Sequence, residues 1–74
     1  MDVILPGFSA SIKQIRQDHN LTQNDMAGIL GKTLRHYQAM EAGTVNISAT
    51  TLIFLSQKFH VSADYLLGLS DQPQ

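Results

Sequence analysis

Two side chains able to make paired hydrogen bonds stand one helical turn apart, Arg35 and Gln38. A guanidinium can donate to both O6 and N7 of guanine, and a carboxamide suits the edge of adenine. His36 lies between them and can touch a phosphate, more strongly when its imidazole is protonated. Lys13 and Lys32 add point charges that suit phosphate oxygens. Each has a plainer alternative, because polar and charged side chains mostly sit hydrated on the surface.

Other chemistries lack their residues. The chain has no cysteine, so it has neither a disulfide nor a thiolate metal site. His19, His36 and His60 share no ligand spacing, and no metal or cofactor is expected. No Ser/His/Asp group, glycine-rich phosphate loop or catalytic carboxylate pair is present, and 74 residues leave little room for a substrate cavity. An enzyme is therefore not expected.

The elements that must position Arg35 and Gln38 are written in the stretch QNDMAGILGKTLRHYQAME, residues 23–41. Thr22 is a good N-cap, and Asp25 three residues on completes a capping-box pattern. Met26, Ile29 and Leu30 recur at helical spacing. Small Ala27 allows a second helix to come close, and Gly31 suits the left-handed residue that ends a helix. Thr33 can cap the next helix, whose apolar face is Tyr37 and Met40 with Leu34 at the i, i+3 spacing, and Gly43 closes it. Two helices joined by so short a turn cross steeply, which predicts a helix-turn-helix at about residues 22–42. In that geometry the second helix is the one offered to the major groove. Gly28 lies inside the first of the two and should cost roughly 1 kcal/mol against alanine, so it is a candidate for a close contact.

The rest of the chain supplies three more helices. Phe8, Ile12 and Ile15 form one stripe on a helix expected over about Ser9 to Asp18, ended by His19 and Asn20. Arg16, in its last turn, is placed to pair with Glu41 as part of the scaffold. Leu21 packs inward before the Thr22 cap. After Gly43 comes a loop, Thr44-Val45-Asn46-Ile47. Ser48 caps a fourth helix bearing Leu52, Leu55 and Phe59, with Ile53 and Phe54 adding bulk that suggests burial on more than one side. His60 ends it. Ser62 caps a short fifth helix, ADYLLGL, ended at Gly68. The fold class is all-α, a compact five-helix bundle. Residues 1–7 read as an N-terminal arm, 8–69 as the domain and 70–74 as a polar tail. The arm is either a loose terminus or, through Val3, Ile4 and Leu5, a dimer contact.

Charge sets a constraint. The formal net charge is −1, whereas DNA-binding domains are usually basic. Cations and anions balance over residues 1–43, and Lys58 then faces Asp64 and Asp71. Any positive patch must come from the placement of a few cations. The missing cysteines fit a reducing cytoplasm. Asp2 stands where a secretory leader would carry Lys or Arg, and Val3-Ile4-Leu5 is too short to span a bilayer.

Several pieces in register carry a resemblance: Ile12-x-x-Ile15-Arg16, Leu21-Thr22-Gln23, Met26-Ala27, Leu30-Gly31, Glu41-x-Gly43 and Val61-Ser62-x-Asp64-Tyr65-Leu66-Leu67-Gly68. From Phe8 to Leu69 the chain resembles the Cro/repressor-type (XRE) helix-turn-helix family, with the phage lambda repressor-like fold. The resemblance implies a cytoplasmic, bacterial or phage transcriptional regulator that binds double-stranded operator DNA, usually as a homodimer on a pseudo-palindrome. It implies base contacts from Leu34, Arg35, Gln38 and Ala39. It implies phosphate contacts from Gln23 at a helix N-terminus and from Thr33. Arg16 and Glu41 match the family's ion pair between the first and third helices. Lys32 stands where the family usually has an apolar turn residue, and can reach a phosphate instead. Leu34 and Ala39 can touch a thymine methyl but cannot form bidentate base bonds. Thr44-Val45-Asn46 replaces a loop that usually carries Lys or Arg, Ile47 a frequent proline, and His60 a frequent glycine. These departures, with the near-neutral charge, leave an alternative: a protein-interaction module that keeps the fold and binds DNA weakly or not at all. Val3-Ile4-Leu5, Leu66, Leu67 and Leu69 would be candidate contacts for a partner or a second copy.

Overall fold

A computed structural model of the chain describes residues 6–70 and 72. It has α1 (Pro6–Asp18), α2 (Gln23–Leu30), α3 (Leu34–Ala42), α4 (Ala49–Phe59) and α5 (Ala63–Leu66), with no strand among the described residues. None of these helices is long and apolar enough to cross a membrane.

Local chemistry sets the boundaries. Thr22 Oγ1 accepts from the Asp25 N–H at 3.0 Å, and Asp25 Oδ2 accepts from the Thr22 N–H at 2.9 Å. That reciprocal box opens α2, and the Thr22 N–H holds the Asp25 carboxyl below its usual pKa. Thr33, Ser48 and Ser62 cap α3, α4 and α5 in the same way, each accepting from a backbone N–H three residues on. Gly31 and Gly43 end α2 and α3 with φ of 67° and 77°, the left-handed region that glycine enters without penalty. His60 takes the same conformation at the end of α4, with φ of 55°.

The five helices share one core. Phe8, Ile12 and Ile15 enter from α1, Met26 and Ala27 from α2, Tyr37 and Met40 from α3, Leu55 from α4 and Leu66 from α5. Leu21, Leu52 and Phe59 pack against it. Buried Ser11 donates to the Tyr65 carbonyl at 2.8 Å, tying α1 to α5. At the far end of α1 the His19 ring meets Phe59 edge-on, with centroids 4.9 Å apart. His19 Nδ1 lies 2.9 Å from the Ile15 carbonyl; a carbonyl only accepts, so Nδ1 carries the proton.

Three expectations need correction. The first helix begins at Pro6 rather than about Ser9, so Pro6 and Gly7 belong to α1 and not to an arm. Proline suits a first helical position because its missing N–H would have no helical partner there. A Cβ on Gly7 would lie 2.8 Å from Gly68 Cα, so the start of α1 sits directly on the backbone after α5. The proposed contact through Val3, Ile4 and Leu5 lies outside the described residues. Helix α4 is not buried on several sides: Leu55 is enclosed, but Ile53 is 56% and Phe54 40% exposed. The Leu52-Leu55-Phe59 stripe governs its orientation, and Ile53 and Phe54 fall off that stripe. Gly28, finally, marks no close contact among the described residues, since a Cβ there would meet none of them within 4 Å beyond its own helix.

Candidate nucleic-acid interface

Helix α3 is held from behind and open in front. Tyr37 and Met40 are buried, while Leu34, Arg35, His36 and Gln38 are exposed and Ala39 is half-buried. Leu34 is 40% exposed, so this first-turn leucine adds to the outward face more than to the core. The four expected base-contact positions thus lie on one short helix, three of them exposed and Ala39 at the edge.

Behind α3 lies a polar network centred on Glu41. Arg16 Nε donates to Glu41 Oε2 at 2.6 Å and Nη2 to Oε1 at 3.4 Å, so the expected pair between α1 and α3 is formed. Arg16 Nη1 also donates to the Leu21 carbonyl at 2.9 Å. The Tyr37 hydroxyl donates to Glu41 Oε2. Gln23 Nε2 donates to Glu41 Oε1 at 3.1 Å, and Gln23 Oε1 accepts from Gln38 Nε2 at 3.2 Å. Burial alone would raise the Glu41 pKa, but the bonds from Arg16, Tyr37 and Gln23 outweigh it and hold the carboxyl below its usual 4.5. Burial pushes the Tyr37 phenol up, and its bond to Glu41 adds to this, so it stays protonated. The network ties α1, the start of α2 and the middle of α3 into one unit.

The expected phosphate-contact residues divide into two groups. Gln23 is not a free side chain: it bridges Glu41 and Gln38, with one of its amide hydrogens in use. Thr33 Oγ1 caps the His36 N–H at 3.0 Å, which leaves the hydroxyl hydrogen to donate. Lys32 and His36 are exposed and line one shallow cleft of about 130 Å³ with Met40, Asn46, Ile47, Ser48 and Thr51. Lys13 is exposed on α1 and makes no ion pair among the described residues. Lys32 and His36 therefore share a cleft at the start of α3, Arg35 lies in the same first turn, and Lys13 belongs to a different helix. The Tyr37–Glu41 bond was missed by the sequence reading, although its i, i+4 spacing within one helix was a signal for it. The Gln23–Gln38 bond had no signal in the sequence, because it joins two helices through a geometry that spacing does not encode.

Comparison with known proteins agrees with this geometry. Residues 12–66 match the family described as "Helix-turn-helix". The chain is 34% identical over 66 residues to "Uncharacterized HTH-type transcriptional regulator YobD" of Bacillus subtilis (strain 168), covering 89% of this chain and 59% of that protein. It is 43% identical over 60 residues to "Uncharacterized HTH-type transcriptional regulator YqaE" of the same organism, covering 81% and 52%. It also matches "Antitoxin PezA" of Streptococcus pneumoniae serotype 4 (strain ATCC BAA-334 / TIGR4) at 34% identity, covering 78% of this chain and 37% of PezA. The chain thus spans a little over half the length of the two Bacillus relatives. A solved transcriptional regulator from Listeria innocua superposes with a TM-score of 0.78 at 25% identity, over 88% of this chain and 61% of that one. The capped α2–α3 pair, the Arg16–Glu41 tie and these matches place the chain in the XRE-type helix-turn-helix family of transcriptional regulators.

Proposed function

We propose that this chain is a sequence-specific DNA-binding regulator that occupies a pseudo-palindromic operator as a homodimer in the cytoplasm of a bacterium. The observation that carries the reading is α3, anchored by buried Tyr37 and Met40 and open to solvent at Leu34, Arg35 and Gln38. In the dimer the two α3 helices enter successive major grooves, about 34 Å apart. Arg35 and Gln38 form hydrogen bonds to base edges, and Leu34 and Ala39 touch thymine methyl groups. Lys32, His36 and Thr33 hold phosphates near the start of α3, Gln23 one at the start of α2, and Lys13 one from α1. A chain of net charge −1 obtains limited non-specific attraction, so affinity depends on two half-sites acting together.

The reading is tested by selecting genomic fragments with the purified protein at two salt concentrations. The expected result is one enriched, two-fold symmetric sequence recovered at about 50 mM salt and lost as salt rises. A second reading, a protein-interaction module, is favoured by one observation: α4 exposes Ile53 and Phe54 within Thr44 to Gln57, a stretch with no charged side chain. Recovery no better than for an unrelated neutral protein would replace the first reading with this one.

A further inference from the structure

We propose that Gln23 sets which base Gln38 accepts, by occupying one of the two carboxamide hydrogens of Gln38 and so favouring adenine over guanine. The inference rests on the DNA-binding reading above and adds to it a residue that acts through another.

The chain of hydrogen bonds has a fixed polarity. Arg16 anchors Glu41 through Nε at 2.6 Å, and the Tyr37 hydroxyl donates to the same carboxylate. A carboxylate only accepts, so the Gln23 amide must turn its NH2 group to Glu41 Oε1, at 3.1 Å. The Gln23 carbonyl is thereby aimed the other way, where it can only accept. Gln38 answers with its NH2 group, at 3.2 Å. The orientation of an exposed carboxamide on the reading helix is thus dictated by an ion pair between α1 and α3.

This has a consequence at the base edge. A free glutamine can turn both amide hydrogens toward N7 and O6 of guanine, which are both acceptors. It can also offer one hydrogen and its carbonyl to N7 and the N6 amino group of adenine. With one hydrogen held by Gln23, the first option is closed and the second remains open. Gln38 keeps one N–H and its carbonyl Oε1, neither with a partner among the described residues. Gln23 is therefore a positioning residue for specificity, whether or not its other amide hydrogen also meets a phosphate.

The test compares selected sequences for the full chain and for Gln23→Ala, Gln38→Ala and the double variant, with folding checked by circular dichroism. Gln38→Ala should flatten the preference at one base pair per half-site. Gln23→Ala should lower the adenine-to-guanine ratio at that same pair by about 2- to 10-fold, the scale of one hydrogen bond. In the Gln38→Ala background, Gln23→Ala should leave that ratio unchanged. An equal loss of affinity across all sequences for Gln23→Ala would overturn the proposal and leave Gln23 a phosphate contact only. A Gln38→Ala variant that alters no base position would overturn it as well. If the wild-type chain enriches no sequence, the DNA-binding reading falls and this proposal with it, a result distinct from the other two. A DNA-free measurement checks the hydrogen bond itself. In the free protein, Gln23→Ala should shift the side-chain amide signals of Gln38 and leave those of Asn46 in place; unmoved Gln38 signals would overturn the proposal.

Discussion

The Arg16–Glu41 tie permits the sharpest stability prediction. The Glu41 side chain is 7% exposed and that of Arg16 15%, so water can replace little of what either loses. Glu41→Ala strands the guanidinium with the Leu21 carbonyl as its remaining partner and leaves the hydroxyl of fully buried Tyr37 without an acceptor. Arg16→Ala leaves a carboxylate held by Tyr37 and Gln23 alone. Hydrogen bonds to charged groups contribute about 1.5–3 kcal/mol, and removing one partner of a fully buried pair costs about 3–5 kcal/mol. Because both groups keep some solvent contact, we expect about 2–3 kcal/mol for each single variant, below the cost for a fully buried pair. A chain of this size has roughly 4–11 kcal/mol in total, at about 0.05–0.15 kcal/mol per residue, so each variant should still fold. Both single changes break the same contact, so the double variant should lose about 2 kcal/mol less than the sum of the two. Urea denaturation of all four proteins at pH 7 measures this coupling. A value below about 0.5 kcal/mol would refute the tie as a stabilising element.

The same carboxylate fixes the sign of a pH effect. The pKa of folded Glu41 lies below its usual 4.5, so its contribution is fully present above that pH and is lost as pH falls through the depressed folded value. In Glu41→Gln, stability should therefore fall less between about pH 5 and pH 2 than in the wild type; parallel curves would contradict the assignment. Gly28→Ala should add about 0.5–1 kcal/mol in the same denaturation assay, since the site is helical and empty. Gly7→Ala should instead cost about 1–3 kcal/mol, because its Cβ would press on Gly68 backbone that cannot rotate away. Salt dependence should be shallow for a DNA-binding dimer. With Lys13 and Lys32 on phosphates in both subunits, log K against log salt should have a slope of about −4, at about 0.9 per phosphate. A slope near −10 would require contacts these cations cannot supply.

Much of this fold could be read residue by residue. The capping box at Thr22 and the caps at Thr33, Ser48 and Ser62 are local, so the chain announces them. The Phe8-Ile12-Ile15 stripe and the Arg16–Glu41 pair were legible because helical spacing and opposite charge leave few alternatives. What stayed hidden depends on distant neighbours. Gly7 and Gly28 look alike in a sequence, yet a Cβ on one would press on the backbone at Gly68 and on the other would meet no neighbouring element among the described residues. Ile53 and Phe54 suggested burial by their bulk, but their angular position on α4 carries them off the core-facing stripe. The outward face of α3 was legible at Arg35 and Gln38, while Leu34, set by its spacing on the apolar face, is 40% exposed. The link from Glu41 through Gln23 to Gln38 became visible only when α2 and α3 were placed together.

The most direct measurement is a base-resolved affinity comparison of the wild type with Arg35→Ala on the selected operator and on every single-base variant of it. If α3 reads base edges, Arg35→Ala costs about 1–3 kcal/mol on the preferred duplex and abolishes discrimination at one guanine. An equal loss on every duplex would show that Arg35 only holds phosphate, and that the exposed face of α3 does not read sequence through it.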